Sequence, residues 1–130
     1  MIVADASWII ALRDPSDPHH DVATRMNLEA LDEGVLLHPV TFAECLVGPA
    51  MLDRLDEAAA SLRAAVEVTD VDREAPLRWA RLRASTRLRL PDAVVLGTAL
   101  SHGARTVLTF DQRLADVAAA HGIGVHSPDP

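Results

Sequence analysis

This chain of 130 residues contains no lysine, a single cysteine and very few aromatics. All twelve of its basic residues are therefore Arg. That excludes the α/β phosphoryl-transfer pockets that pair an acidic cluster with a lysine. Cys45 stands alone, so an internal disulfide and a thiolate metal cluster are both impossible, and a lone thiol among apolar neighbours reads as core. With aromatics at 3% and hydrophobic residues at 49%, the core must be built from Ala, Val and Leu. Trp8 and Trp79 sit among apolar neighbours and read as core or interface, not as base-stacking platforms. No charge-free run approaches the ~20 residues of a spanning helix. Asp5 interrupts the first apolar stretch before a signal sequence could form. A cytoplasmic protein without a membrane anchor is expected.

What is present is a regular alternation. Short β-branched runs at Ile2 to Ala4, Val35 to His38, Val66 to Thr69, Thr106 to Leu108 and, marginally, Gly124 to His126 read as strands. Between them lie helical patterns at about Ser7 to Leu12 and Pro18 to Glu33, the latter stopped by Gly34. A further helix is expected from Val40 to Val47, broken by Gly48 and Pro49 and followed by another from Ala50 to Leu62. In that second helix Met51, Leu55, Ala58 and Leu62 form the inward stripe. A long helix from Asp72 to Leu88 carries the stripe Leu77, Ala80, Ala84 and Leu88, with Glu74 and Arg78 spaced for an i,i+4 pair. Pro91 suits a first helical turn, Ala93 to Ser101 continues that helix to Gly103, and Gln112 to His121 forms the last. The segments Arg13 to Pro18 and Ser127 to Pro130 look loose. The pattern predicts one α/β domain spanning the chain, a three-layer α/β/α sandwich around a central parallel sheet of four to five strands.

Four acids occupy the places where such a sheet gathers its ligands. Asp5 follows the first strand, Asp111 lies just beyond the fourth, Asp92 falls in the first turn of its helix, and Glu44 sits in the helix after the second strand. Carboxylates that converge repel one another, and a hard divalent cation such as Mg²⁺ or Mn²⁺ relieves that conflict. Such an ion also supplies the chemistry of phosphodiester hydrolysis. The net charge of −7 argues against a nucleic-acid partner at first, but four of those charges belong to these acids. Arg73, Arg78, Arg81, Arg83, Arg87 and Arg89 crowd the stretch before Asp92. Of these, Arg87 and Arg89, together with Arg113, are the candidates to meet the phosphates of a nucleic acid. His19 and His20 precede Asp21, but no other histidine completes a zinc spacing, and a surface role is expected.

The segments MIVADASWIIAL, TFAECLVG, RLRLPDAVVLGTAL and GARTVLTFDQRL, in that order, resemble the four acidic motifs of the PIN domain, and within it the VapC-type toxin ribonucleases of bacterial toxin–antitoxin pairs. The resemblance implies that Asp5, Glu44, Asp92 and Asp111 bind Mg²⁺ or Mn²⁺ and carry catalysis. It implies further that Ser7 and Thr109 orient carboxylates or water from behind. Many relatives carry another acid two residues past the fourth, where this chain has Arg113, which leaves Asp116 as the candidate further ligand. It also implies a cognate small antitoxin covering the cleft and a homodimer, with the helix from Ala50 to Leu62 as the candidate surface for either. Receiver domains and haloacid dehalogenase-type phosphatases fail for want of a lysine. The latter also need a second Asp where Ser7 stands. A catalytically silent RNA-binding or partner-binding module is the remaining alternative.

Overall fold

The structure is a computed structural model and describes residues 1–30 and 32–126. The tail from residue 127 to 130, expected to be loose, lies outside the described residues. Five parallel strands, β1 (Ile2–Ala4), β2 (Val35–Leu37), β3 (Glu67–Val68), β4 (Thr106–Leu108) and β5 (Gly124–His126), form one sheet in the order β3-β2-β1-β4-β5. Val3 aligns with Leu36 on one side and Val107 on the other. Because side chains alternate along a strand, these three share a face, while Ile2, Ala4, Leu37 and Leu108 share the opposite one.

Each face builds its own core. Ile2, Leu37 and Leu108 pack with Trp8 and Ile9 of α1 (Ala6–Arg13), Ala23 and Met26 of α2 (His20–Ala30), Phe42 and Leu46 of α3 (Pro39–Met51), and Leu62 of α4 (Leu55–Ala65). Val3, Leu36 and Val107 pack with Leu82 of α5 (Ala75–Thr86), Val95 and Leu96 of α6 (Leu90–Ser101) and Leu114 and Ala118 of α7 (Gln112–Ala120). Each large apolar side chain so covered contributes about 1.5–3 kcal/mol before conformational entropy is charged against it. The result is the expected three-layer sandwich. Among the described residues, no helix is long and apolar enough to cross a membrane.

Helix α6 is buried at every position from Asp92 to Ala99, and its close approach to α5 depends on Gly97. A Cβ there would stand 3.0 Å from Cδ1 of Trp79 and 3.2 Å from its Nε1. Trp79 is thus half-buried between two helices and Trp8 fully buried, as their apolar settings suggested.

Three segments differ from the sequence pattern. Helix α3 runs through Gly48 and Pro49 to Met51, because Pro49 lies in its last turn and the chain turns only afterwards. There the amides of Leu52 and Arg54 donate to the Pro49 carbonyl. The helix expected from Ala50 to Leu62 is therefore split between two elements, and Met51 and Leu55, expected inside, are exposed. The face of α5 is also different: Leu77, Ala80 and Ala84 are outward, while Ala75, Trp79 and Leu82 turn inward. Trp79 against Gly97 sets that rotation. Arg78 pairs with Asp72 at 2.7 Å instead of Glu74. Helix α2 begins at His20 and ends at Ala30. The expected extension toward Glu33 crosses Leu31, outside the described residues, and Gly34 turns at φ 78° before β2.

Candidate functional site

The chain moves outward from β1 through β2 to β3, then returns to place β4 on the other side of β1. A crevice opens at such a reversal, beyond the carboxyl ends of the two central strands. Asp5 leaves β1 there, and its amide extends the ladder by donating to the Leu108 carbonyl at 2.9 Å. Residues 109–111 leave β4 beside it.

Asp5 occupies the N-cap position of α1 but makes no side-chain cap bond. The residue is 8% exposed and its carboxylate turns inward instead, where Oδ2 accepts from the Ser7 hydroxyl at 2.7 Å and the Thr109 hydroxyl at 2.8 Å. Each hydroxyl is itself held by an amide: Phe110 N–H donates to Ser7 Oγ at 3.1 Å, and Asp111 N–H to Thr109 Oγ1 at 2.9 Å. Two charge-assisted hydrogen bonds to one oxygen fix the rotamer. They leave Oδ1 as the oxygen available to a ligand.

Asp92 lies in the first turn of α6, after Pro91, and is 5% exposed. Burial pushes its carboxyl above the ordinary aspartate range, and the negative charges of Asp111 and Asp5 push the same way, partly offset by Arg89. Glu44 projects from α3 and is half-buried. Its carboxyl is also raised, by burial first and then by Asp5 and Asp92. The acids from three elements therefore feel one another. Asp111 divides its two oxygens: Oδ1 caps α7 by accepting from the amides of Arg113 and Leu114, while Oδ2 lies 3.7 Å from an Arg89 amino group.

Arg89 precedes α6 at its N-cap position and spans the cluster, with Nε also 3.7 Å from Asp92 Oδ2. It is delivered by Arg87, whose backbone adopts the left-handed region at φ 62° to end α5. Arg83 Nε steadies this connection by donating to the Leu88 carbonyl at 3.1 Å. Arg87 and Arg113 are exposed, and among the described residues neither forms an ion pair with the four acids. Asp116 is exposed on α7, and its Oδ1 accepts from the Gln112 side chain at 2.8 Å. Cys45, next to Glu44, is half-buried with its thiol pushed up to about 12, by burial and then by Glu44 and Asp5. That disfavours the thiolate form.

One feature of the rim went unread in the sequence. His19 stacks on Phe110, with ring centroids 4.4 Å apart and planes 8° from parallel. The two rings are 91 residues apart in the chain, and only the fold brings them together. His20, by contrast, places Nδ1 2.8 Å from the Ala11 carbonyl.

The donor set is all oxygen, strongly anionic and mutually repelling, which suits a hard divalent cation. Asp5 Oδ1 and the raised carboxyls of Glu44 and Asp92 are the groups such an ion would relieve. Among the described residues, no three side chains of ligating type are already disposed to hold one ion. Binding would therefore draw these carboxylates closer together.

A model of the PIN domain matches residues 2–120. Among solved structures, the chain is similar to a VapC toxin of Mycobacterium tuberculosis described as cleaving the sarcin–ricin loop. The two are 21% identical with a TM-score of 0.78, over 98% of this chain and 100% of that one. It is also similar to a chain of a toxin–antitoxin complex from Klebsiella pneumoniae, at 21% identity and TM-score 0.73, over 99% and 98%. A third likeness is to FitAcB from Neisseria gonorrhoeae, at 21% identity and TM-score 0.72, over 98% of each chain. No curated protein sequence matches it.

Proposed function

Because the chain belongs to the PIN-domain family, we propose that it is a Mg²⁺- or Mn²⁺-dependent endoribonuclease, acting as the toxin of a toxin–antitoxin pair. The observation that carries this reading is the gathering of acids at the carboxyl edge between β1 and β4, where the charges of Asp5 and Asp92 add to burial in raising Glu44, and those of Asp111 and Asp5 add to burial in raising Asp92. The likeness in fold to toxins of such pairs supports it.

In this reading Asp5, Glu44, Asp92 and Asp111 hold the metal. Asp116 is the candidate further ligand, although its carboxylate is engaged by Gln112. A bound divalent ion supplies Lewis acidity at the scissile phosphate and activates water for attack. The protein supplies position. Ser7 and Thr109 lock the Asp5 carboxylate, the sheet edge fixes where Asp5 and Asp111 diverge, and burial keeps Asp92 away from bulk water. Arg87, Arg89 and Arg113 line the approach and bind RNA phosphates, which carries an RNA strand past an otherwise acidic surface.

The candidate surface for the antitoxin lies on α3 and α4. A groove of about 540 Å³ runs between α1, α3 and α4, lined by Ile9, Ile10, Leu46, Pro49, Leu52 and Leu62, and it opens at one end on Glu44. Exposed Val47, Met51 and Leu55 flank it. An apolar antitoxin segment seated here would lie against Glu44, and a second copy of the chain is the alternative occupant of this outward face of α3 and α4. Hydrogen exchange on the complex tests the assignment, since protection confined to α5 or α7 would reject it.

Purified, antitoxin-free protein is expected to cut cellular RNA at discrete sites with Mg²⁺ or Mn²⁺, and to stop doing so with EDTA or after Asp5→Asn. Folded protein that leaves RNA intact with either metal would leave the silent binding module as the function.

A further inference from the structure

We infer that Arg89 is a resident counter-ion of the acidic cleft, which the divalent metal must displace in order to bind. This rests on the metal-dependent reading above. Two contacts carry it: Nε lies 3.7 Å from Asp92 Oδ2, and a terminal amino group lies 3.7 Å from Asp111 Oδ2, so one guanidinium spans two acids from different elements.

The placement is built into the backbone. The left-handed turn at Arg87 and the bond from Arg83 to the Leu88 carbonyl set the connection from which Arg89 reaches over the first turn of α6. The hold itself is weak. The side chain of Arg89 is 76% exposed and both contacts are longer than a good hydrogen bond. A buried bidentate pair would block the cleft, whereas this arrangement gives a removable cation that offsets part of the carboxylate repulsion. A divalent ion carries twice the charge and prefers oxygen ligands, so it wins the exchange. Arg89, pushed off the two carboxylates, then stays at the mouth of the cleft and faces the incoming phosphate.

The consequence is a metal affinity held below what the acids alone would give. Two like-signed charges a few ångströms apart in solvent repel by an amount equivalent to about five- to tenfold in affinity, and less in high salt. Mn²⁺ binding to the full chain, without RNA, is measured by calorimetry and by the loss of free-ion paramagnetic signal. Arg89→Gln is expected to bind Mn²⁺ about five- to tenfold more tightly than the natural protein, with the gain shrinking as salt rises. Arg89→Lys, which keeps the charge, is expected to stay within about twofold. The sign separates this role from a structural one, because loosening the loop would weaken metal binding. Equal or weaker binding by Arg89→Gln overturns the inference and leaves the nuclease reading standing. Failure of all three proteins to bind Mn²⁺ overturns the metal-dependent reading and this inference with it.

Discussion

Thr109→Val removes one hydroxyl and keeps the shape of a side chain that is 1% exposed. Two bonds go with it. The first is the 2.8 Å donation to Asp5 Oδ2, a hydrogen bond to a charged group and worth about 1.5–3 kcal/mol. The second is the 2.9 Å bond from the Asp111 amide, whose loss leaves an N–H in a confined loop without its partner and costs about 1 kcal/mol. Ser7 still holds the same Asp5 oxygen, so the carboxylate is loosened but not released. The total, about 2–4 kcal/mol, lowers the thermal midpoint of a domain this size by roughly 6–15 °C. Thr109→Ser keeps the hydroxyl and is expected to lose less than half as much. Differential scanning calorimetry of the metal-free proteins reads the effect. RNA cleavage at limiting metal is expected to fall about 10- to 100-fold in Thr109→Val, as for other changes behind a metal ligand. A Thr109→Val protein that melts within about 1 °C of the natural one would refute the account of Asp5 being held by a hydroxyl pair.

The remaining predictions concern charge and packing. Asp92→Asn is expected to abolish cleavage while the metal-free protein melts at the same temperature or a few degrees higher, because the raised carboxyl of Asp92 marks an ionised form that the fold disfavours. A clearly lower midpoint would make Asp92 a structural residue. Asp92 and Glu44 both have folded-state values above their unfolded ones, so the folded protein holds protons more tightly in that interval. Their joint contribution to metal-free stability should accordingly fall as pH rises from about 4 through their raised values, and Asp92→Asn should flatten that slope. Denaturant melts across this pH range check the sign, and a slope unchanged by the mutation would count against the coupling. Gly97→Ala drives a methyl to 3.0 Å from Trp79 and is expected to cost about 1–3 kcal/mol, with a change in Trp fluorescence as α5 shifts. An unperturbed emission spectrum and midpoint would mean that the two helices are not held by this contact.

Much of the fold was legible because its central elements carry unambiguous residues. β1, β4 and β5 fall where the sequence places them: Ile2 to Ala4 and Thr106 to Leu108 are short apolar runs ended by Asp5 and Thr109, while Gly124 to His126, with Val125 as its one β-branched residue, is the weakest of the three signals. Helix α6 was legible from Pro91 and from its unbroken apolar run. Two misreadings share a cause, namely residues whose local preference is weak or is met later in the chain. Pro49 does end α3, but only after the helix has completed its last turn, so the punctuation acts at Leu52 instead of Gly48. Helix α5 is rich in Ala and Arg, and alanine suits either face, so Trp79 against Gly97 fixes its rotation and no spacing within α5 alone does. At the candidate site, strand ends indicated where Asp5 and Asp111 would lie. The reach of Arg89 was not readable, because it depends on a left-handed turn at Arg87, a residue that seldom adopts one.

The two oxygens of Asp111 serve different masters, and this changes what its presence signifies. Oδ1 is committed to the amides that start α7, a duty any folded version of the domain must meet whether or not it cuts RNA. A descendant that abandoned catalysis would still be under pressure to keep an Asp, Asn or Ser at this position. Asp5 starts no helix in this way: its side chain caps nothing, and its hydrogen bonds from Ser7 and Thr109 hold it turned into the cleft. The acid that best diagnoses a living nuclease in this scaffold is therefore Asp5, and a surviving Asp111 testifies mainly to an intact last helix.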